Sequence, residues 1–311
     1  MMRFIPLFFL YFLLNACVSQ SYDVQSVCEV TDVYNYVVKW EVSPRLDGNV
    51  EIFSSSDPEK FDMRKPIAVE SISKGRAELV IKGTLNRCYF LLRFPDDIHT
   101  VVGVRSQKFE TVQNFRDLGG YQNMERRTLK WGKLYRSGNF DAISPIEAKR
   151  IAKMKVKTFV DLRTVVKKEE LSELTGIKNY HFFPVISGKA DPLPLIYQQQ
   201  FKRGDAVLFM QDVYCDMLFK SIPSLRSLFQ ELREEKNYVQ ASLASALVLS
   251  ALDMPEQSIM DDYLLSNKFF NMRKVADSVM SLPLEAQDAI TSMMVSDELY
   301  LNSALTFLKR R

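Results

Sequence analysis

The sequence predicts two domains of different class, an all-β sandwich at the amino end and an α/β three-layer domain at the carboxyl end. Two changes of pattern carry that expectation. From about Val24 to Phe109 apolar residues alternate with polar ones and turn signals recur, as in short strands; after Thr111 strand-like runs alternate with helical ones. The 311 residues, 47% hydrophobic and 25% charged, suffice for two buried cores and exclude a disordered chain.

Ahead of the sandwich, Met1-Met2-Arg3 is a short basic start, Phe4 to Leu14 is almost wholly apolar, and Leu14-Asn15-Ala16-Cys17 follows. Residues 1–16 read as an export signal, because the run is shorter than the about 20 residues that a spanning helix needs and Ala16 is small. Leu14 to Cys17 resembles a bacterial lipobox, which makes Cys17 the expected lipidation site; a plain secretory signal and a retained helix are the alternatives. The mature protein is then expected to face the periplasm or the cell surface. Its membrane anchor is a set of acyl chains whose buried methylenes contribute about 0.8 kcal/mol each. Export also permits disulfides. Cys28 and Cys88, both in strand-like runs, either form one bridge worth about 2–4 kcal/mol or remain two buried thiols.

Within residues 22–109, Tyr36, Val38, Trp40 and Val42 share one strand face, and Cys88, Phe90, Leu92 and Phe94 share another. Breaks at Ser43-Pro44, Asp47-Gly48-Asn49, Ser54 to Pro58, Lys74-Gly75 and Phe94 to Asp97 leave about seven short strands, as in an immunoglobulin-like or fibronectin-like sandwich. It carries no catalytic constellation, and such a module is expected to act as a spacer or as a surface for a protein partner. In residues 111–311, Ser144-Pro145-Ile146-Glu147 is a capping box that opens a helix to about Met154, and Val156 to Leu162 is a buried strand. Asp205 caps a helix bearing Leu208, Val213, Met217 and Leu218, and a further helix carries Leu225, Leu228, Phe229 and Leu232. Ala241 to Leu252, small and apolar all round, is the expected central helix.

Four segments carry the chemical interest: Asn114-Phe115-Arg116-Asp117-Leu118-Gly119-Gly120, Leu134-Tyr135-Arg136-Ser137-Gly138, Phe159-Val160-Asp161-Leu162-Arg163, and Ile259-Met260-Asp261-Asp262-Tyr263-Leu264-Leu265-Ser266-Asn267. Together they resemble the bacterial tyrosine-protein phosphatase-like family, within the cysteine-dependent tyrosine and dual-specificity phosphatases. The resemblance implies hydrolysis of phosphomonoesters through a cysteinyl-phosphate. A low-pKa thiolate attacks, N–H groups at a helix N-terminus cradle the phosphate, an arginine clamps it bidentately, and a carboxylic acid protonates the leaving oxygen. In that family a Cys-x5-Arg loop supplies nucleophile, cradle and clamp between a strand of the Tyr238-Val239-Gln240 kind and a helix of the Ala241 to Leu252 kind. Here Gln240 is followed directly by Ala241, and the loop is absent.

An inactive or nearly inactive chain is therefore expected, either a pseudophosphatase acting as a binding or scaffold module, or an altered form of an active parent phosphatase. The helical run ending at Lys309-Arg310-Arg311 also leads us to expect a further carboxyl-terminal segment. The expected residual pocket comprises Arg116, Asp117, Arg136, Asp161 and Arg163. Asp161 and Arg163 close a buried strand, where α/β folds bind ligands. Arg116 and Asp117 can bond across the glycine turn as structure or touch substrate, and Arg136 either faces the pocket or braces that turn. Asp261 and Asp262 are expected to be helix-terminal structure. Cys215, in an amphipathic run beside Asp216, is not expected to replace the nucleophile. His99 and His181 offer neither a metal cluster nor a triad, glycine-rich nucleotide loops are absent, and the net charge of +3 is scattered. No cofactor, no metal and no nucleic acid is expected.

Overall fold

The computed structural model describes residues 21–32, 34–81, 87–138, 140–164, 175–234, 238–240, 242–269 and 279–310. The expected export signal and Cys17 lie outside the described residues.

Among the described residues, seven strands precede residue 104: β1 (Asp23–Asp32), β2 (Asn35–Ser43), β3 (Asn49–Ser55), β4 (Ala68–Ser71), β5 (Arg76–Val80), β6 (Tyr89–Arg93) and β7 (His99–Gly103). They form two antiparallel sheets, in the orders β1-β2-β5 and β4-β3-β6-β7. The period-two pattern has its physical outcome here. Tyr36, Val38 and Trp40 of β2 are buried with Ala77 and Leu79 of β5, and they meet Val50, Ile52, Phe90, Leu92 and Val102 of the other sheet in one core. The Trp40 indole stays satisfied inside it by donating to the Ile72 carbonyl at 2.9 Å. Cys28 and Cys88 are both buried in this same core. Burial, then the proximity of Cys88, pushes the Cys28 thiol well up.

The second region contains β8 (Arg116–Asp117), β9 (Leu134–Arg136), α1 (Pro145–Lys153), β10 (Thr158–Asp161), β11 (Asn179–Phe182), α2 (Leu193–Tyr197), α3 (Arg203–Lys220), α4 (Ile222–Glu234), β12 (Tyr238–Gln240), α5 (Ser242–Ala251), α6 (Glu256–Phe269), α7 (Leu284–Met294) and α8 (Glu298–Lys309). Its sheet runs β11-β10-β12-β9-β8, parallel throughout except for β8 against β9. Successive strand residues point to opposite faces. Tyr135 and Phe159 therefore pack with Ile151 of α1, while Leu134 and Val160 pack with Leu228 of α4 and with Ala244 and Val248 of α5.

The α1 capping box forms as expected, with Ser144 Oγ accepting from the Glu147 amide and Glu147 accepting from the Ser144 amide at 3.1 Å. Glu147 also accepts from the amides of Glu110 at 2.6 Å and Thr111 at 3.0 Å, which ties the helix to the chain between the two regions. Burial would raise its carboxyl, but the bonds from Thr111 and Ser144 hold it down at about 2. Asp205 is not the cap of α3. It lies inside the first turn and accepts from the Lys202 amide at 2.9 Å.

The two regions are joined through β8. The Asp117 amide donates to the Arg105 carbonyl at 3.0 Å and the Gln107 amide to the Phe115 carbonyl at 3.0 Å. The Trp131 indole donates to the Val101 carbonyl at 2.9 Å. Gly119 and Gly120 have a steric reason: a Cβ on either would lie 2.4 Å from an atom of Trp131. At the centre of the joint Arg87, 7% exposed, pairs with the fully buried Asp117. Asp117 also accepts from the amides of Gly119 at 2.7 Å and Gly132 at 2.8 Å. Removing one member of such a pair strands a buried charge. Arg87→Ala is expected to lower unfolding free energy by about 3–5 kcal/mol in urea titration; a loss below about 0.5 kcal/mol, the size of an ordinary surface change, would show that the joint does not hold the regions together.

Candidate functional site

Arg136 ends β9, beside Gln240 of β12 on one side and Arg116 of β8 on the other. Both arginines are fully buried, and both converge on Asp262, 1% exposed in the second turn of α6. Arg116 Nε donates to Asp262 Oδ1 at 2.9 Å, its Nη2 to Oδ2 at 3.3 Å and also to the Asp262 carbonyl. Arg136 Nη1 donates to Oδ2 at 2.6 Å and Nη2 to Ser266 Oγ at 3.1 Å. Tyr121 completes the shell from 3.2 Å. Burial by itself would raise the Asp262 carboxyl, but the charges and hydrogen bonds of Arg136 and Arg116 hold it at about 2. The Arg116 guanidinium moves the other way, down to about 10, through burial and then the charge of Arg136.

Asp262 is thus not a helix-terminal residue, and it is the functional-frame residue that sequence reasoning missed. A signal for it was present. Ile259, Asp262, Tyr263 and Ser266 recur at helical spacing and are all buried, so Asp262 is a charge on the apolar face of its helix and requires a cation.

Asp161 and Arg163 occupy the expected strand end but form a separate cluster. Asp161, 2% exposed, accepts from the Arg163 amide at 3.0 Å, from Nε at 2.9 Å, from Nη2 at 2.7 Å and from the Tyr180 hydroxyl. Burial opposes its ionisation, yet Arg163 and Tyr180 keep the carboxyl below its ordinary value. Arg163 reaches on to Asp141 at 2.6 Å. Strand parity explains the split. Asp161 follows Phe159 toward the α1 face, whereas Arg136 follows Leu134 toward the opposite one. The same rule separates neighbours on β8: Arg116 joins Asp262, and Asp117 joins Arg87. The five expected pocket residues therefore fall into three groups.

Between β12, ending at Gln240, and α5, starting at Ser242, the sequence has only Ala241, whose placement lies outside the described residues. The amino end of a helix at this point is where unpaired N–H groups and the helix dipole favour an anion. None of the four cysteines is followed six positions later by arginine. Cys215 sits half-buried within α3, and burial, then Asp212, pushes its thiol up rather than toward thiolate. The opposing carboxylate is Asp212 rather than the sequence neighbour Asp216, which accepts from Ser187 Oγ at 3.2 Å and the Gly188 amide and lies 3.5 Å from Lys220. His181 lies 3.4 Å from Glu231 and stacks on Phe183, while His99 is exposed in the other region.

A model of the tyrosine phosphatase family matches residues 107–311, well over half of the chain, and the chain belongs to that family. The matched span begins at the joint and contains every side chain of the three groups except Arg87. Among curated proteins, the "Putative tyrosine-protein phosphatase" of Cupriavidus necator is 26% identical over 182 residues, covering 54% of this chain and 66% of that relative's length.

The pH dependence of the Asp262 cluster follows from its sign. A carboxyl lowered from an ordinary 3.8 to about 2 stabilises the fold above the unfolded value and loses that contribution as pH falls through the folded one. Asp262→Asn is expected to cost about 3–5 kcal/mol at pH 7 and to flatten the decline in stability between pH ~4 and ~2, followed by urea midpoints at each pH. Parallel acid limbs for the two proteins would remove Asp262 from the account.

Proposed function

We propose that this chain is an exported, lipid-anchored member of the tyrosine phosphatase family which, with this sequence, does not turn over phosphomonoesters and acts as a binding or scaffold module. The carrying observation is the one-residue step from Gln240 to Ser242. That step supplies no thiolate, no clamp arginine and no loop of amides, and the nearby Arg116 and Arg136 are committed to Asp262. We read the two antiparallel sheets as an immunoglobulin- or fibronectin-like module offering its surface to a protein partner. Their shared core also brings Cys28 and Cys88 into one cluster, which supports a bridge in an oxidising compartment.

A second reading is favoured by one specific observation, the abruptness of the step. Strand β12 ends at Gln240 and helix α5 starts at Ser242, as in a domain whose phosphate loop has been lost in one step from an active parent. Resequencing the gene across the codons for Gln240 and Ala241 separates the two.

Purified protein is expected to hydrolyse aryl phosphates at background, with Cys215→Ser unchanged; insertion of a Cys-x5-Arg segment between Gln240 and Ala241 is expected to restore turnover. Robust turnover by the uninserted chain, abolished by Cys215→Ser, would overturn the proposal and make Cys215 a relocated nucleophile. Anchor and bridge are read from one non-reducing peptide map of protein from the envelope fraction. It is expected to recover acylated Cys17 as the first residue and a linked Cys28–Cys88 pair. Unmodified Cys17 in membrane-bound protein would refute the anchor, and two freely alkylated thiols would refute the bridge.

A further inference from the structure

Parallel strands β9, β12 and β10 put the strand–helix junction at their carboxyl ends, on the α4 and α5 side of the sheet. The opposite edge carries a different feature. Lys133 and Lys155 precede β9 and β10, and there a cleft of about 410 Å³ lies between the two regions, on the α1 side. Its volume falls within the about 300–1,000 Å³ typical of small-molecule sites. The ionisable lining is lopsided: Arg87, Lys133, Arg150, Lys153 and Lys155 face a single carboxylate, Asp57.

A helix end accounts for part of this, since Arg150 and Lys153 occupy the last turn of α1, where cations are favoured. It does not account for Arg87 or Lys133, which come from other elements. Lys133 lies 3.7 Å from Glu59, and Arg150 donates to the Lys108 carbonyl at 2.9 Å. Arg87 is the fixed member of the set. Its Nη1 bonds Asp117 and, at 3.1 Å, the Tyr135 hydroxyl, and its Nη2 bonds the Val104 carbonyl at 3.1 Å, so the guanidinium is held in the wall of the cleft. An oxyanion entering the cleft meets cations from three separate parts of the chain and gains charge-assisted bonds from the exposed ones.

We infer that this interdomain cleft is an oxyanion site, taking free phosphate or the phosphoryl group of a small phosphate ester. It is separate from the phosphatase junction and does not depend on whether that junction is active.

The test titrates the full chain with inorganic phosphate and, in a parallel arm, phosphoserine at low ionic strength. Binding is read by calorimetry and by the emission of Trp131, which lines the cleft. Saturable binding is expected, weakened about tenfold or more by Lys153→Glu and by Arg150→Glu and unchanged by the surface control Lys65→Glu, an exposed residue that does not line the cleft. Lys153 is exposed, so its reversal leaves the fold intact even if Arg150, which packs over Phe109 at 4.4 Å, proves structurally needed. Tighter binding of phosphoserine assigns the site to an ester, and tighter binding of inorganic phosphate assigns it to the free anion. Absence of saturable binding in both arms, or equal weakening by Lys153→Glu and Lys65→Glu, would overturn the inference.

Discussion

Asp262, held between Arg116 and Arg136, is the constraint around which the carboxyl-terminal region is arranged. A carboxylate at 1% exposure is tolerated only with its charge met and its oxygens bonded, and both conditions require β8, β9 and α6 to converge at one point. Because α6 follows α5 closely, that convergence also sets the central helix, whose Ala246 and Leu249 pack with Ile259, Met260 and Tyr263 of α6. The strand–helix junction between Gln240 and Ser242 is thus positioned from behind, by the contacts of α6.

Buried carboxylates recur as fasteners through the molecule. Asp117 takes Arg87 from the amino-terminal sheets, Asp161 takes Arg163 and Tyr180 within its own sheet, and Asp262 takes two arginines across the core. Motifs that resemble catalytic segments are therefore also the clasps of the fold. Their intact appearance in a chain with no Cys-x5-Arg loop has a physical basis, since removing any one of these groups leaves an unpaired charge inside the protein whether or not chemistry takes place. Arg87 extends the same logic across the two regions. It sits 5.0 Å from the Tyr89 ring and 5.4 Å from the Tyr135 ring, so aromatic faces from both sides of the joint support the buried cation.

What could be read without tertiary structure was whatever rests on neighbours in sequence. Period two gave the β2 face of Tyr36, Val38 and Trp40; Ser144 and Glu147 are three residues apart and closed their capping box; and the direct step from Gln240 to Ala241, with no Cys-x5-Arg between them, was visible in the chain itself. The same local rules placed Asp161 and Arg163 at a strand end, and put Arg116, Asp117 and Arg136 at or beside the glycine turn. Only the assembled sheet decided which of them meet, because strand parity sends adjacent residues to opposite faces, and the partner on each face comes from afar in sequence. Arg116 finds Asp262 146 positions away, and Asp117 finds Arg87 30 positions back. Charge pairing at such separations depends on how the elements pack. Sequence alone thus determined the residue types and their periodicity, and tertiary structure decided that one aspartate would close the joint between the two regions, another a strand end, and a third the core.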